Sequence, residues 1–243
     1  MRTLIKTTLR RLGYEVKKLP RLSSAPNLPD ASFYTPLFSP WLVDGPFKRF
    51  WELARPYTLV SADRCYVLHT LATQALSVRG DFWECGVYKG GTALLLAELL
   101  ATGGTAGAAL HLFDTFEGLP ANDPTRDLHQ QGQFDDTSLN VVKRRVGREG
   151  TVIYHQGVIP DTFRGLEGSR IAFAHIDVDL YRSVRDCCDF IMPRLTPGGF
   201  VVFDDYGFPS CPGARRAVDE FFHDRPEQPL VLPTGQAIIF ARG

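Results

Sequence analysis

Residues 81–101 read DFWECGVYKGGTALLLAELLA. The opening run is strand-like and breaks at Gly86. Two more glycines follow at Gly90 and Gly91, and a long Leu/Ala stretch with helical character takes over. A strand that passes through glycines into a helix is the starting unit of a parallel α/β sheet, and the rest of the chain repeats the alternation. ALHLFDTF, TVIYHQG, IAFAHIDVD and GFVVFDD read as strands, while SLNVVKRRVGRE and SVRDCCDFIMPRL read as helices. Continuous apolar strands separated by helices predict a sheet covered on both faces. The end differs: GARRAVDEFF is helical, and PLVLPTGQAIIFA reads as two strands around a Thr-Gly turn. The expected fold is therefore α/β, a doubly wound, mostly parallel Rossmann-like sheet that ends in an antiparallel hairpin.

Ahead of the sheet the composition shifts. The first 21 residues carry seven Lys/Arg against the single Glu15, with Leu4, Ile5, Leu9 and Leu12 at helical spacing. Such a segment is compatible with weak contact at an anionic membrane surface, although a solvated or self-docked helix is the simpler reading. A Pro/Ser-rich stretch follows, and helical patterning begins near PFKRFWELARP. The expected division is residues 1–50, a basic helix and linker, and residues 51–243, the catalytic domain.

Bulk properties narrow the function. The 243 residues hold 27 basic and 27 acidic side chains, so no global field gathers nucleic acid. A small-molecule enzyme is expected. Five cysteines without a CxxC pattern, no run long enough to span a membrane and no compact apolar leader point to a cytoplasmic protein. A homo-oligomer is compatible with all of this.

The first turn has the spacing E-x-G-x-x-x-G-G, from Glu84 through Gly86 to Gly90 and Gly91. That is neither the dinucleotide nor the triphosphate fingerprint. An acidic residue there would repel phosphate, whereas it suits the amine or sulfonium of S-adenosylmethionine. Asp114, at the expected end of the second strand, is placed to accept hydrogen bonds from ribose hydroxyls. Gln156 and Gly157, at the end of the third, are candidates for contact with adenine. Each of these is also an ordinary turn residue; together they favour a nucleoside-bearing cofactor.

The next two strands end in carboxylates: Asp177 and Asp179 on one, Asp204 and Asp205 on the other. A right-handed crossover through a single helix makes these strands neighbours or near neighbours, about 4.8 Å apart if adjacent, so their tips face one crevice. Unneutralised, the carboxylates would raise one another's pKa. A hard divalent cation with oxygen ligands, Mg²⁺ or Mn²⁺ rather than zinc, removes the conflict.

ECGVYKGGT, LFDTFEGLP, HIDVDLYRS, PGGFVVFDDYG and ARRAVDEFF, in that order, resemble the macrocin O-methyltransferase (TylF-like) family over roughly Tyr57 to Phe240. The resemblance implies a Rossmann-like methyltransferase dependent on S-adenosylmethionine that methylates sugar hydroxyls with metal assistance. It implies that Asp179, Asp204 and Asp205 hold the metal and that Asp179 is also the base. Val178 stands where the family more often has glycine, so Asp177 is counted with the cofactor-binding residues. The expected acceptor is a small molecule or glycan with a free hydroxyl. The same sheet would also serve a metal-dependent hydrolase, which would need a basic phosphate clamp near the aspartates, or a non-catalytic nucleoside-binding module.

Overall fold

The computed structural model describes residues 36–103 and 107–242. The expected basic helix at the N-terminus lies outside the described residues. Helix α1 spans Pro46–Ala54 and α2 spans Ala62–Ala75. Then come β1 (Asp81–Cys85), α3 (Gly91–Thr102), β2 (Leu110–Asp114), α4 (Leu139–Val146) and β3 (Val152–Gln156). The series closes with β4 (Ile171–Ile176), α5 (Tyr181–Ile191), β5 (Leu195–Phe203), α6 (Pro212–Phe222), β6 (Leu230–Val231) and β7 (Ala237–Phe240).

The sheet has the order β3-β2-β1-β4-β5-β7-β6. The first five of these strands pair in parallel, and β7 pairs antiparallel with both β5 and β6. The doubly wound sheet and its closing hairpin are thus as expected. Side chains alternate across it and divide the core in two. Phe82 and Phe173 pack with α1 to α4 on one face, through Phe47, Leu68 and Leu95. Trp83, Ala174 and Phe203 pack with α5 and α6 on the other, through Val184, Phe221 and Phe222. All six residues of β4 are buried, which is why its sequence runs apolar on both faces but for His175. Helix α1 straddles the boundary drawn at residue 50, with Phe47, Phe50 and Ala54 all buried.

Helices α1 and α2 are separate because the chain opens into extended backbone between Thr58 and Ser61, and this short segment forms one wall above the sheet. Another wall comes from the long connection between β2 and α4. Buried Asp127 fixes that connection: its Oδ1 accepts from the backbone N–H of Tyr181 at 2.8 Å, at the start of α5, and its Oδ2 accepts from Asp123 N–H at 3.0 Å.

The glycine turn has a definite steric cause. Gly86 has φ +87°, and a Cβ there would lie 1.8 Å from the carbonyl oxygen of Asp177 at the tip of the neighbouring strand. Its small size serves contact between two strand ends. Gly86→Ala is therefore expected to lower the unfolding free energy by about 3 kcal/mol or more, combining a disfavoured φ with overlap against fixed backbone. Urea denaturation checks this, and a variant as stable as the parent would show that the tips are free to separate.

Candidate functional site

The carboxyl ends of β1 to β5 open into one cleft of about 290 Å³. Gly86, Asp114, Gly157, Asp177, Asp179 and Asp205 all line it, so the structure brings together six of the residues singled out from sequence. Glu84, Gly90, Gln156 and Asp204 do not line it. Gly90 caps α3 in a left-handed conformation and packs toward Val142 and Val146. Gln156 faces a separate shallow hollow beside Phe116 and Ser138.

Asp114 is more occupied than a free ribose acceptor would be. Its Oδ2 takes the backbone N–H groups of Val87 at 2.6 Å and Tyr88 at 2.8 Å, and its Oδ1 takes that of Phe116 at 2.6 Å. The carboxylate thus ties the glycine turn of β1 to the end of β2. Tyr88, held in the left-handed region at φ +49°, also donates its hydroxyl to Asp136 at 2.6 Å. Lys89 pairs with Asp136 as well, so the long connection is latched to the same turn.

Beneath the cleft floor runs a row of charge. Glu84, His175 and Asp204 come from β1, β4 and β5, and all three are fully buried on the α2 side of the sheet. His175 Nδ1 lies 2.9 Å from Glu84 Oε1, and its Nε2 lies 3.5 Å from Asp204 Oδ1. Asp204 Oδ1 also accepts from Gln236 Nε2 at 2.8 Å, while its Oδ2 pairs with the guanidinium of Arg64 on α2. Burial disfavours the imidazolium, but the carboxylates of Asp204 and Glu84 on either side of the ring outweigh it and push His175 up to about 10. Burial works against the Asp204 carboxylate too, yet His175, Arg64 and Gln236 hold its pKa below the ordinary value. Two cations therefore neutralise one end of the acidic set, and Asp204 is turned to them rather than to the cleft.

The other three carboxylates are less fully neutralised, since burial and their neighbours' charges outweigh the pull of His175 on Asp177 and of Arg64 on Asp205. Asp177 is raised well above the ordinary carboxylate value by burial and by the charges of Asp204 and Asp205. Asp179 is pushed up to about 8 by burial and by Asp205, and Asp205 to about 6 by burial and by Asp204. Their arrangement differs from simple alternation. The strand expected to reach Asp179 stops at Ile176; Asp177 N–H still bonds Cys85 O at 2.8 Å, and the chain then bends, with Asp179 at φ +56°. The bend is held by Asp205 Oδ2, which accepts from Asp179 N–H at 2.9 Å. It is thus Asp179, not Asp177, that leaves the strand. Its Oδ1 comes within 3.3 Å of Cys211 Sγ and 3.6 Å of His129 Nε2.

Arg64, Gln236, His129 and Cys211 were not singled out from the sequence. Arg64 and Gln236 meet Asp204 across 140 and 32 residues, and nothing local marks them. His129 carried a weak signal: it sits in DLHQQGQFDD, a polar stretch too long for an ordinary turn.

The family model described as Macrocin-O-methyltransferase (TylF) matches residues 51–232. The 8-demethyl-8-(2,3-dimethoxy-alpha-L-rhamnosyl)-tetracenomycin-C 4'-O-methyltransferase of Streptomyces olivaceus is 34% identical, over 59% of this chain and 58% of that protein. The mycinamicin III 3''-O-methyltransferase of Micromonospora griseorubida is 31% identical, over 68% of this chain and 70% of that one. The chain thus covers 58% of the length of the first of these relatives and 70% of the second. The solved structure of the O-methyltransferase NovP superposes with a TM-score of 0.69 at 24% identity, covering 77% of this chain and 83% of that one, which shows the same fold.

The raised pKa values set a sign for pH dependence. Without a cation, folded Asp205 and Asp179 keep protons that the unfolded chain releases near pH 4, and folded His175 keeps one that the unfolded chain releases near pH 6.5. Where the folded state binds more protons, stability falls as pH rises. The depressed pKa of Asp204 acts oppositely, but only below the ordinary carboxylate range. Melting in the presence of a chelator is therefore expected to show stability declining from pH 5 to pH 9, on the order of 1 kcal/mol or more in total. A flat or rising profile would mean that the three carboxylates are not crowded.

Proposed function

The chain belongs to the macrocin O-methyltransferase (TylF) family, and on that premise we propose that it transfers the methyl group of S-adenosylmethionine to a hydroxyl of a sugar or sugar-bearing small molecule. The observation that carries this reading is the convergence, in a single cleft, of the glycine turn with Asp114 on one side and Asp177, Asp179 and Asp205 on the other. The first relative named above, whose name gives a rhamnosyl-tetracenomycin, supports the acceptor class. A phosphate-clamping hydrolase finds less support. Arg182 and Arg185 pair with Asp186 and Asp189 on α5, and Arg64 pairs with Asp204.

On the cofactor side, Gly86, Asp114 and Gly157 border the cleft. Asp114 fixes the loop that would lie against the nucleoside, and Glu84, one layer below, supports the turn through His175. Glu84, Gly90 and Gln156 thus act on the cofactor site from behind or beside it, while Asp177 faces the cleft where the two halves of the site meet.

The acidic half fits a hard divalent cation, Mg²⁺ or Mn²⁺. Asp177, Asp179 and Asp205 offer only oxygen, and their mutual repulsion is what a cation would relieve. Asp204, in the ligand set by resemblance, has both oxygens engaged and would have to exchange Arg64 or Gln236 to bind metal. When bound, the cofactor supplies an electrophilic methyl group and the cation polarises the acceptor hydroxyl. Asp179, turned toward the cleft by its bend, would take the hydroxyl proton as general base. Asp205 holds that bend through the Asp179 N–H, and the apolar walls at Val87, Phe113, Phe134 and Ile159 keep water from competing with the acceptor.

Two measurements test the reading. Mass spectrometry of the purified protein should find S-adenosylhomocysteine or bind it on addition; retained NAD or a phosphate ester would sink the proposal. Asp179→Asn and Asp205→Asn should each cut turnover about 100-fold or more, and chelation should do the same until Mg²⁺ is restored, because an amide is a poorer ligand and no base. Affinity for S-adenosylhomocysteine should stay within about threefold in both variants, since a shift of 1.4 kcal/mol would already be tenfold. Full turnover in excess chelator would remove the cation from the mechanism.

A further inference from the structure

We propose that His129, Asp179 and Cys211 form a second metal site, softer in its donors than the aspartate cluster, that takes Zn²⁺ and shares Asp179 with that cluster. The three side chains place one nitrogen, one oxygen and one sulfur within 4.8 Å of one another. Two of the separations are 3.6 Å (His129 Nε2 to Asp179 Oδ1) and 3.3 Å (Cys211 Sγ to Asp179 Oδ1). Zinc bonds of about 2.0 Å to N or O and about 2.3 Å to S, at tetrahedral angles, require ligand atoms roughly 3.3 to 3.6 Å apart. Two of the three separations thus already fall in that range, and the third lies within 4.8 Å.

Hydrogen bonding decides which way the imidazole faces. The side-chain atom of Gln133 nearest His129 accepts from the backbone N–H of Gln130 at 3.1 Å, so it must be the amide oxygen. The same oxygen lies 2.7 Å from His129 Nδ1, which must then be the N–H donor. In the neutral ring, Nε2 carries a lone pair and points it at a carboxylate oxygen, which is also an acceptor. Without a metal that oxygen is met by the thiol hydrogen of Cys211; an ion would take the hydrogen's place between the nitrogen, the oxygen and the sulfur. An N–H fixed on Nδ1 by an outer partner is the arrangement that prepares Nε2 for a metal.

The supports are rigid. His129 lies two residues from Asp127, which is locked to the start of α5, and Asp179 is held at its bend by Asp205. Cys211 immediately precedes α6. All three residues line the cleft, so an ion has a route in. Zinc or cobalt would choose this set and magnesium would not, because thiolate and imidazole favour softer ions. As the sulfur binds, its thiol proton leaves to solvent.

The proposal depends on metal binding alone, so the absence of methyl transfer would leave it standing. Co²⁺ is added to the full-length protein in excess Mg²⁺, and zinc is then used to displace it. The expected result is a near-ultraviolet sulfur-to-cobalt charge-transfer band that saturates at one equivalent and is bleached by Zn²⁺. Cys211→Ser should abolish the band, His129→Gln should weaken Zn²⁺ at least tenfold, and Cys65→Ser should leave both unchanged. Should Cys211→Ser fail to fold, His129→Gln and the parent band decide. No band in the folded parent, a band that survives Cys211→Ser, or unaltered Zn²⁺ affinity in His129→Gln would overturn the site.

Discussion

Everything at the cleft rests on the buried row that crosses the sheet from Glu84 through His175 and Asp204 to Arg64. Four ionisable groups in the interior would be a heavy cost if any stood alone, because desolvation of a single charge costs several kcal/mol. Here each carries a partner of opposite sign, and Gln236 takes a further bond to Asp204. The row also crosses the layers of the fold. It links the carboxyl-terminal ends of β1, β4 and β5 to α2, and so fixes the strand ends relative to the helix that precedes the sheet. A hydrophobic core could hold those strands together, but it could not also orient a carboxylate at their ends.

That orientation separates two adjacent aspartates that look equivalent in sequence. Asp204 turns inward to Arg64 and His175; Asp205 faces the cleft and accepts the N–H of Asp179. The latter contact is what makes the left-handed conformation of Asp179 tolerable. A non-glycine residue at φ +56° is uncommon, and one side-chain hydrogen bond from the next strand stabilises it. Local strain is thus met by a tertiary contact at the place where a side chain has to leave the strand.

The sheet was legible because parallel strands buried on both faces write their positions as short apolar runs, and the helices between them carry their own period. The hairpin could be read from Thr234 and Gly235. The bend at Asp179 could not: alternation assumes that a strand continues, and the bend depends on Asp205, which is 26 residues away in sequence. Glu84 was legible as important but not in its role, since the sequence does not say whether an acidic side chain at a turn faces the ligand or the layer beneath. Arg64 gave no signal at all. One arginine at the start of a helix is ordinary, and only the fold brings it to Asp204.

The long connection between β2 and α4 explains why the cleft has two kinds of donor. The sheet can place only residues at its strand tips, and in this chain the tips supply oxygen. Nitrogen and sulfur come from elements laid over the sheet: His129 from the connection that Asp127 anchors, and Cys211 from the start of α6. Asp179 is the residue at which these two sources meet, because the bend moves its carboxylate out of the strand row and toward the overlying elements. A straight strand would keep Asp179 with Asp177 and leave His129 and Cys211 without a third partner. The conformation of one residue therefore decides whether the cleft is a purely hard-cation site or one whose acidic half can be drawn toward softer metals.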